Sequence, residues 1–328
     1  MLLEEAWSRH LAPRHPDAPT MISLFAGGGG SSLGYSMAGF RELLVVEWDE
    51  NAVETLRLNF PAVPIYHGDI VKLSVEECLR LAGIEPGELD VLDGSPPCQG
   101  FSTAGKRQLD DERNSLFREY VRLLRGLQPR AFVMENVSGL VKGKMRLAFA
   151  EILRELKTSG YRVKVRLLNA MFFNVPQSRQ RLIFVGTREN LGIEPSHPKG
   201  QSEAVTLASA LANIRTKTMS GDNPRNSKKA FGATRRNDWN GVGPTLSTRP
   251  HRHGLHPSEY RFFSLEEHKR IASFPDEFRV ALPLSDQFKR IGNSVPPLFM
   301  RAIAKHVADL IRSCDTKPEP DVSGARTG

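Results

Sequence analysis

A single cysteine stands in a rigid, polar turn where it could act as a nucleophile. Cys98 lies in the run DGSPPCQG, which follows a short apolar segment typical of a buried strand. Two prolines restrict the backbone before the thiol, and open α/β proteins bind ligands at the carboxyl ends of parallel strands. This setting favours thiolate chemistry over the packing role that a cysteine in a helix interior usually has.

Two further strand-like segments supply an acid and two arginines. Glu135 ends one of them, and a carboxyl group there could face the cysteine's pocket as its acid partner. The spacing leaves a second interpretation open, in which Asn136 or Ser138 caps a helix and Glu135 is solvated. Arg179 and Arg181 alternate on an edge strand, so both are expected on one face. There they could hold a base or a phosphate, or be solvated.

A glycine-rich turn predicts a site for a nucleoside-containing cofactor. Glycines 27–30 follow the first strand-like run and allow a tight turn with close backbone approach. Glu47 ends the second run about twenty residues later, where dinucleotide-type sites bond a ribose hydroxyl. Trp48 beside it could stack on an adenine, and a third run ends at Asp69 and Ile70. The alternative is that the glycines are only structural.

Alternating strands and helices are expected to position these groups. Such alternation between residues 21 and 186 indicates βαβ units and a largely parallel sheet. The last two strands are joined by a link too short for a helix, so they should pair as an antiparallel hairpin at the sheet edge. The predicted strands are 21–27, 42–48, 64–70, 89–95, 130–137, 161–170 and 181–187, and the predicted helices are 51–60, 115–127, 145–160, 264–274 and 295–313.

Composition narrows the class of protein. The 328 residues are 40% hydrophobic and can form a sizeable core. Apolar runs stay shorter than the roughly 20 residues of a membrane span, so we expect a cytoplasmic protein without a membrane partner. Cys78, Cys98 and Cys314 fit neither a disulfide framework nor a metal site, and no metal is expected. The net charge of +8 suits a polyanionic partner, and most of the excess lies between residues 215 and 261.

Seven motifs in a characteristic order resemble the cytosine-C5 DNA methyltransferase family. They are FAGGGG, EWD, GDI, GSPPCQGFS, ENV, QSRQR and RIGNSVPP, and the resemblance extends from Met21 to about Ile311. It implies an α/β fold with a Rossmann-like S-adenosylmethionine methyltransferase domain, mostly parallel with an antiparallel edge hairpin, plus a smaller target-recognition domain. Two departures stand out. Ser23 replaces an acidic residue that many members have, and residues 261–275 match the penultimate motif loosely.

The resemblance also implies a domain division. The catalytic and cofactor-binding domain would comprise residues 21–187 and 272–314, so that the C-terminal segment returns to complete it. Residues 188–271 would form the target-recognition domain. Residues 1–20 would be an N-terminal extension, and residues 315–328 are expected to be a disordered tail.

The implied reaction moves the methyl group of S-adenosylmethionine to carbon 5 of a cytosine in a specific duplex DNA sequence. Cys98 as a thiolate would add to carbon 6 and make carbon 5 nucleophilic. Glu135 would bond the N3 and amino edge of the base, while Arg179 and Arg181 hold its O2 side or orient the pocket. A stacked base is out of reach of these groups, so the cytosine should be flipped out of the duplex.

Binding residues and partners follow from the same resemblance. The cofactor-binding residues would be Phe25, Gly27, Gly29, Gly30, Glu47, Trp48, Asp69, Ile70, Pro97 and Asn293, and the DNA-binding residues would be Gln99, Ser102, Arg235, Arg236 and Arg249. We expect a bacterial monomer that associates with the nucleoid through duplex DNA. A cognate restriction endonuclease encoded nearby is a candidate partner.

Four other functions compete with this interpretation. An RNA (tRNA) cytosine-C5 methyltransferase would use the same catalytic set, although the basic insert suits duplex reading. A methyltransferase acting on exocyclic amino groups needs no thiol after its Ser-Pro-Pro. A nicotinamide-linked dehydrogenase would leave Cys98, Glu135 and the basic insert unexplained. A catalytically silent DNA-binding module is disfavoured because every expected chemical group is present.

Overall fold

One seven-stranded sheet forms the centre of the molecule. The computed structural model describes residues 2–97, 115–143, 145–214, 218–219, 235–249, 252–281 and 283–315. The strands are β1 (Thr20–Leu24), β2 (Arg41–Glu47), β3 (Ile65–His67), β4 (Val91–Gly94), β5 (Ala131–Val137), β6 (Tyr161–Asn169) and β7 (Gln180–Arg188), in the order β3-β2-β1-β4-β5-β7-β6.

Helices connect and cover the strands. In the described part of the chain they are α1 (Leu2–Leu11), α2 (Gly30–Ala38), α3 (Glu50–Asn59), α4 (Val75–Ala82), α5 (Ser115–Leu127), α6 (Met145–Lys157), α7 (Leu207–Ala210), α8 (Leu265–Ile271), α9 (Leu284–Asn293) and α10 (Pro297–Asp315). None of these is both long and apolar enough to cross a bilayer.

The strand directions confirm the α/β prediction and the edge hairpin. Strands β3, β2, β1, β4 and β5 are parallel, and helices return the chain between them. Strand β7 is antiparallel to both β5 and β6. Between β6 and β7 the chain forms one short turn of 3-10 helix at Ala170–Phe172, and a link of this size allows only an antiparallel pairing.

Successive residues of the central strands face two different layers of helices, one on each side of the sheet. Val91 and Val133 point to the face where α2 and α10 supply Tyr35 and Phe299. The neighbouring Leu92, with Phe132 and Met134, points to the opposite face, under α4, α5 and α6. Because both faces are covered, the central strands are apolar along most of their length.

The C-terminal helix packs against the helix that follows the glycine turn. A Cβ atom added at Gly34 of α2 would lie 2.7 Å from the carbonyl oxygen of Pro297 and 2.6 Å from Cβ of Met300. Only glycine allows α10 to come this close. The C-terminal segment therefore packs against the first part of the chain, as expected of a segment that returns to it.

The N-terminal extension is also folded onto α2. His10 of α1 lies 2.6 Å from the Ser36 hydroxyl, and Arg14 donates to the carbonyl of Phe40 over 3.0 Å. Burial, with the nearby charge of Arg14, lowers the pKa of His10 to about 4. The N-terminal helix therefore braces the same helix that α10 supports.

Five helices are absent from those predicted by periodicity: α1, α2, α4, α7 and α9. The described part of the proposed recognition region packs on the main body, because Leu207, Leu246 and Phe263 share a hydrophobic cluster with Val295 of the C-terminal segment. The domain boundaries at residues 188 and 271 therefore stay a prediction. The tail beyond residue 315 lies outside the described residues.

Candidate active site

The segment that leads to the proposed nucleophile is tied to the end of the neighbouring strand. Strands β4 and β5 are adjacent and parallel, so their carboxyl ends reach the same edge of the sheet. Asn136 Nδ2 donates to the carbonyl oxygen of Pro96 over 3.2 Å, at a buried position. This contact brings the chain before the thiol beside Glu135. Cys98, Gln99 and Ser102 lie outside the described residues.

Glu135 is paired with an arginine at this edge. Arg181 Nε lies 2.6 Å from Glu135 Oε1, and the two side chains are only 13% and 10% exposed. A charge-assisted bond with so little exposure holds both groups in one orientation. The alternative of a freely solvated Glu135 is wrong. The alternative of an Asn136 helix cap is wrong as well, because no side chain caps the turn that follows β5.

Arg179 approaches the same region but has different partners. Its guanidinium donates to the carbonyl oxygens of Leu246 and Gly292 over 3.0 Å each and to that of Asn293 over 3.3 Å. Burial is the main cause that lowers the pKa of Arg179 to about 9, and the charge of Arg181 adds to it. These bonds favour the expected alternative in which Arg179 orients the pocket, and its role in holding the base stays a prediction. Arg179 joins three chain segments around the pocket.

Glu47 organises the glycine turn from the end of β2. Its carboxylate accepts from the backbone N–H groups of Gly27 at 2.6 Å, Trp48 at 2.9 Å and Asp49 at 3.0 Å. A carboxylate has about four acceptor positions, so three bonds leave one for a ligand hydroxyl. Gly27 and Gly29 adopt φ angles of 55° and 78°, where glycine is favoured.

The other expected cofactor residues surround this turn. Trp48 is 76% exposed beside the buried Glu47, so its ring is free to contact a ligand. Asp69 lies at the end of β3 and accepts from the N–H of Val71 over 3.0 Å, while Ile70 is 4% exposed. Phe25, at the end of β1, has a φ of 57°, which is rare outside glycine and turns the chain sharply. All four occur at carboxyl ends of neighbouring strands.

The C-terminal segment closes the other side of the turn. A Cβ atom at Gly30 would lie 2.1 Å from the carbonyl oxygen of Val295, so a side chain has no room there. Asn293 ends α9 immediately before this contact and is exposed. Arg290 bonds Asp49 over 2.5 Å, which ties α9 to the loop after Glu47. Sequence motifs pointed to Asn293, but Arg290 was missed.

The three arginines of the recognition region that are expected to contact DNA are all exposed, and one of them is engaged in hydrogen bonds within the region. Arg235 and Arg249 are exposed. Arg236 donates from Nη1 to the carbonyl oxygens of His256, Pro257 and Glu259 over 3.4, 3.5 and 3.2 Å. Arg236 therefore holds this loop, and its expected contact with DNA stays a prediction.

Two buried histidines join the loop around Ser247 to α8 within the recognition region. His268 Nδ1 lies 2.9 Å from the carbonyl oxygen of Ser264 and must donate to it. Its Nε2 then accepts from His253 Nδ1 over 3.0 Å, which leaves His253 Nε2 to accept from the N–H of Ser247 over 2.6 Å. This chain needs neutral imidazoles, in agreement with the burial that lowers the pKa of His268 to about 4. Within the described ranges, no three metal-ligating side chains form a group.

Asp93 is the second residue that the sequence analysis missed. It is 2% exposed, near the end of β4 and on the same face as Glu135. Burial raises the pKa of Asp93 to about 7, and the negative charge of Glu135 acts in the same direction. An acid inside an otherwise apolar strand was the available signal.

The fold and the acid-bearing edge of the sheet are those of a Rossmann-like, S-adenosylmethionine-dependent methyltransferase. A family model described as C-5 cytosine-specific DNA methylase matches residues 19–249 and 201–309. The chain belongs to this family and is a DNA (cytosine-5-)-methyltransferase.

Individual relatives agree with the family. The chain is 31% identical to Type II methyltransferase M.XorII of Xanthomonas oryzae, over 92% of this chain and 87% of that protein. It is 34% identical to Type II methyltransferase M1.HphI of Haemophilus parahaemolyticus, over 88% and 86%. The crystal structure of a candidate DNA modification methyltransferase encoded within an Escherichia coli prophage superposes with a TM-score of 0.76 at 26% identity, over 90% of this chain and 100% of that one. DNMT2 of Spodoptera frugiperda, at 18% identity and a TM-score of 0.69, shares the fold over 90% of this chain and 100% of that one.

Proposed function

We propose that this protein methylates carbon 5 of a flipped-out cytosine in a specific duplex DNA sequence, through a covalent bond between Cys98 and carbon 6. The observation that carries the proposal is the Glu135–Arg181 ion pair, which lies beside Pro96. Pro96 precedes Cys98 by two residues. Family membership supports S-adenosylmethionine as the methyl donor. When bound, it supplies the methyl group.

The residues of the glycine turn fit such a cofactor. Glu47 retains an acceptor position next to the exposed Trp48, which suits a ribose hydroxyl and an adenine ring. Gly30 leaves no room for a side chain where Val295 approaches, so the C-terminal segment packs directly against the glycine turn. Asp69 and Ile70 extend the same edge, as the adenine end of the site requires.

The chain's own groups divide the reaction between them. The Cys98 thiolate forms a bond to carbon 6, and the electron pair of the ring double bond moves so that carbon 5 becomes nucleophilic. Glu135, held by Arg181, bonds the N3 and amino edge and offsets the charge that develops on the ring. After carbon 5 is methylated, its proton leaves to a base. The same electrons then expel the Cys98 thiolate and restore the ring.

Of the two cysteines outside this turn, Cys78 is an unsuitable nucleophile. It is buried in α4, and burial raises the pKa of its thiol to about 12. A thiol with this pKa is almost entirely protonated at neutral pH, and only the thiolate adds to a ring carbon. Cys314, near the end of α10, is a half-buried free thiol and lies outside the sheet edge.

We also infer that residues 188–271 read the DNA sequence. The exposed Arg235 and Arg249 are able to reach base edges or phosphates. Arg179 joins this region, through Leu246, to the end of α9. The expected monomer is checked by light scattering, and a cognate restriction endonuclease is sought as a DNA-cleaving activity that methylation by this protein blocks.

Transfer of a labelled methyl group tests the proposal directly. Wild-type protein should label duplex DNA, Cys98→Ala should lose essentially all transfer, and Cys314→Ala should retain it. Duplex DNA with 5-fluorocytosine, whose carbon 5 has no proton to lose, should trap a covalent adduct with the wild type but not with Cys98→Ala. Bisulfite sequencing of DNA from cells that make the protein should then report the target site.

Two results would contradict the proposal. Transfer to tRNA without transfer to duplex DNA would favour the RNA-directed alternative. An active enzyme that forms no adduct with 5-fluorocytosine would exclude addition by the thiol.

A further inference from the structure

Four buried polar groups converge beneath the candidate active site. Asp93 of β4 lies directly opposite Ser23 of β1 in the sheet register. Ser31 and Tyr35 of α2 cover the same face, and the four residues are 2%, 0%, 7% and 0% exposed in this order. Asp93 Oδ1, both serine Oγ atoms and Tyr35 Oη are buried, and none of them has a hydrogen-bond partner among the described residues.

Asp93 is the centre of this cluster. The hydroxyls of Ser31 and Tyr35 are close enough to influence the pKa of its carboxyl group. None of them meets the distance and angle of a direct hydrogen bond. Buried polar groups in proteins are almost always paired, and where direct partners are missing an ordered water usually bridges them. Three hydroxyls and a carboxyl group around one point are partners that such a water requires.

Burial is the main cause that raises the pKa of the carboxyl group to about 7, so about half of the molecules carry its proton at neutral pH. The titratable groups that face it are Glu42 of β2, Tyr35 of α2, Tyr120 of α5 and Glu135 of β5, and none of these is a cation. Asp93 is therefore able to donate a hydrogen bond as well as accept one.

We propose that Asp93 is a positioning residue for methyl transfer, which acts through ordered water shared with Ser23, Ser31 and Tyr35. Ser23 of β1 lies opposite this carboxyl group, which belongs to the neighbouring strand. The cluster connects β4 with α2. Strand β4 leads through Pro96 to the cysteine turn, and α2 begins at the glycine turn. The cluster therefore sets the spacing between the nucleophile's strand and the cofactor's helix.

The proposal rests on the methyltransfer function and is tested in the full-length enzyme by three substitutions and one control. Asp93→Asn keeps the shape and the hydrogen bonds to water, whereas Asp93→Leu keeps a similar volume without them. Tyr35→Phe removes only the hydroxyl group and leaves the ring packed against Phe40. Asp309→Asn, on the exposed side of α10, serves as the matched control.

The measurements are the single-turnover rate of methyl transfer and the Kd for S-adenosylmethionine, each on protein shown to be folded by its cooperative thermal transition. Asp93→Asn and Asp309→Asn should stay within about threefold of the wild-type rate. Asp93→Leu should lose about tenfold or more, because small displacements of reacting groups have effects of this size. Tyr35→Phe should lose about threefold, and the Kd should change by less than about threefold in every variant.

A folded Asp93→Leu enzyme with the wild-type single-turnover rate would overturn the proposal, since a purely structural role predicts that result. A high-resolution crystal structure in which no water lies within hydrogen-bond distance of Asp93 and Tyr35 would also overturn it. If the wild type transfers no methyl group at all, the proposed function is wrong. The crystal structure then still tests whether a water binds between Asp93 and Tyr35.

Discussion

Replacement of Arg179 separates a base-holding role from a positioning role. The Arg179 guanidinium is 3% exposed and donates to three carbonyl oxygens that belong to the recognition region and to α9. Arg179→Ala removes all three bonds at once. The neighbouring edge strand offers a matched control in Arg162→Ala, because Arg162 pairs with Glu194 over 2.7 Å on the surface.

The expected change in the free energy of unfolding of Arg179→Ala follows from two opposing contributions. Each buried carbonyl left without its donor costs about 1–3 kcal/mol, which gives a gross loss of about 3–9 kcal/mol. The desolvation that lowers the pKa of Arg179 to about 9 is relieved when the charge is removed, and this offsets part of the loss. We expect a net decrease of about 2–4 kcal/mol in the free energy of unfolding. Arg162→Ala should cost less than about 1 kcal/mol.

Urea denaturation at pH 7.5 measures the loss of stability, and DNA-binding titrations measure the loss of DNA affinity. Arg179→Ala should weaken DNA binding, because the recognition region loses its tie to α9. Arg179→Lys, which keeps a charge but not the planar set of donors, should fall between the wild type and Arg179→Ala. The reasoning would be refuted by an Arg179→Ala protein with wild-type stability and DNA affinity but without methyl transfer, since Arg179 would then act on the base itself.

Three further predictions follow from the site. Gly30→Ala should abolish tight binding of S-adenosylmethionine in calorimetric titrations, because its Cβ would lie 2.1 Å from the backbone oxygen of Val295, whereas Gly139→Ala, with nothing within 4 Å, should bind normally. Arg290→Ala should weaken cofactor binding about tenfold by releasing Asp49, while the exposed Lys289→Ala should not, and equal affinities of the two variants would contradict this role. The pKa of Asp93 is raised to about 7 in the folded protein, so its contribution to stability is fully present below about pH 4 and is lost as the pH rises through about 7. Asp93→Asn should therefore reduce the decline in the urea midpoint between pH 5 and 8. Ionisation of Asp93 lowers the free energy of unfolding by up to about 3 kcal/mol over this range. An unchanged decline would assign it to Glu42, whose pKa is raised to about 8.

The sequence by itself determined the sheet, its hairpin and the order of the motifs. Apolar runs identify all seven strands, and they are clearest in the central strands, where the burial of both faces leaves few polar residues. The short link after β6 dictates the antiparallel edge, since a parallel return needs a longer crossover. The motif run from FAGGGG to RIGNSVPP indicates the family by itself.

Only the tertiary structure decided what each polar side chain contacts. Spacing placed Arg179 and Arg181 together, but it did not show that one pairs with Glu135 while the other holds three carbonyl oxygens. The roles of Arg290 and Asp93 depend on partners far away in the chain, such as Asp49 and Ser23. Periodicity reports which face of an element is apolar, whereas hydrogen bonds between distant segments form only when those segments pack together.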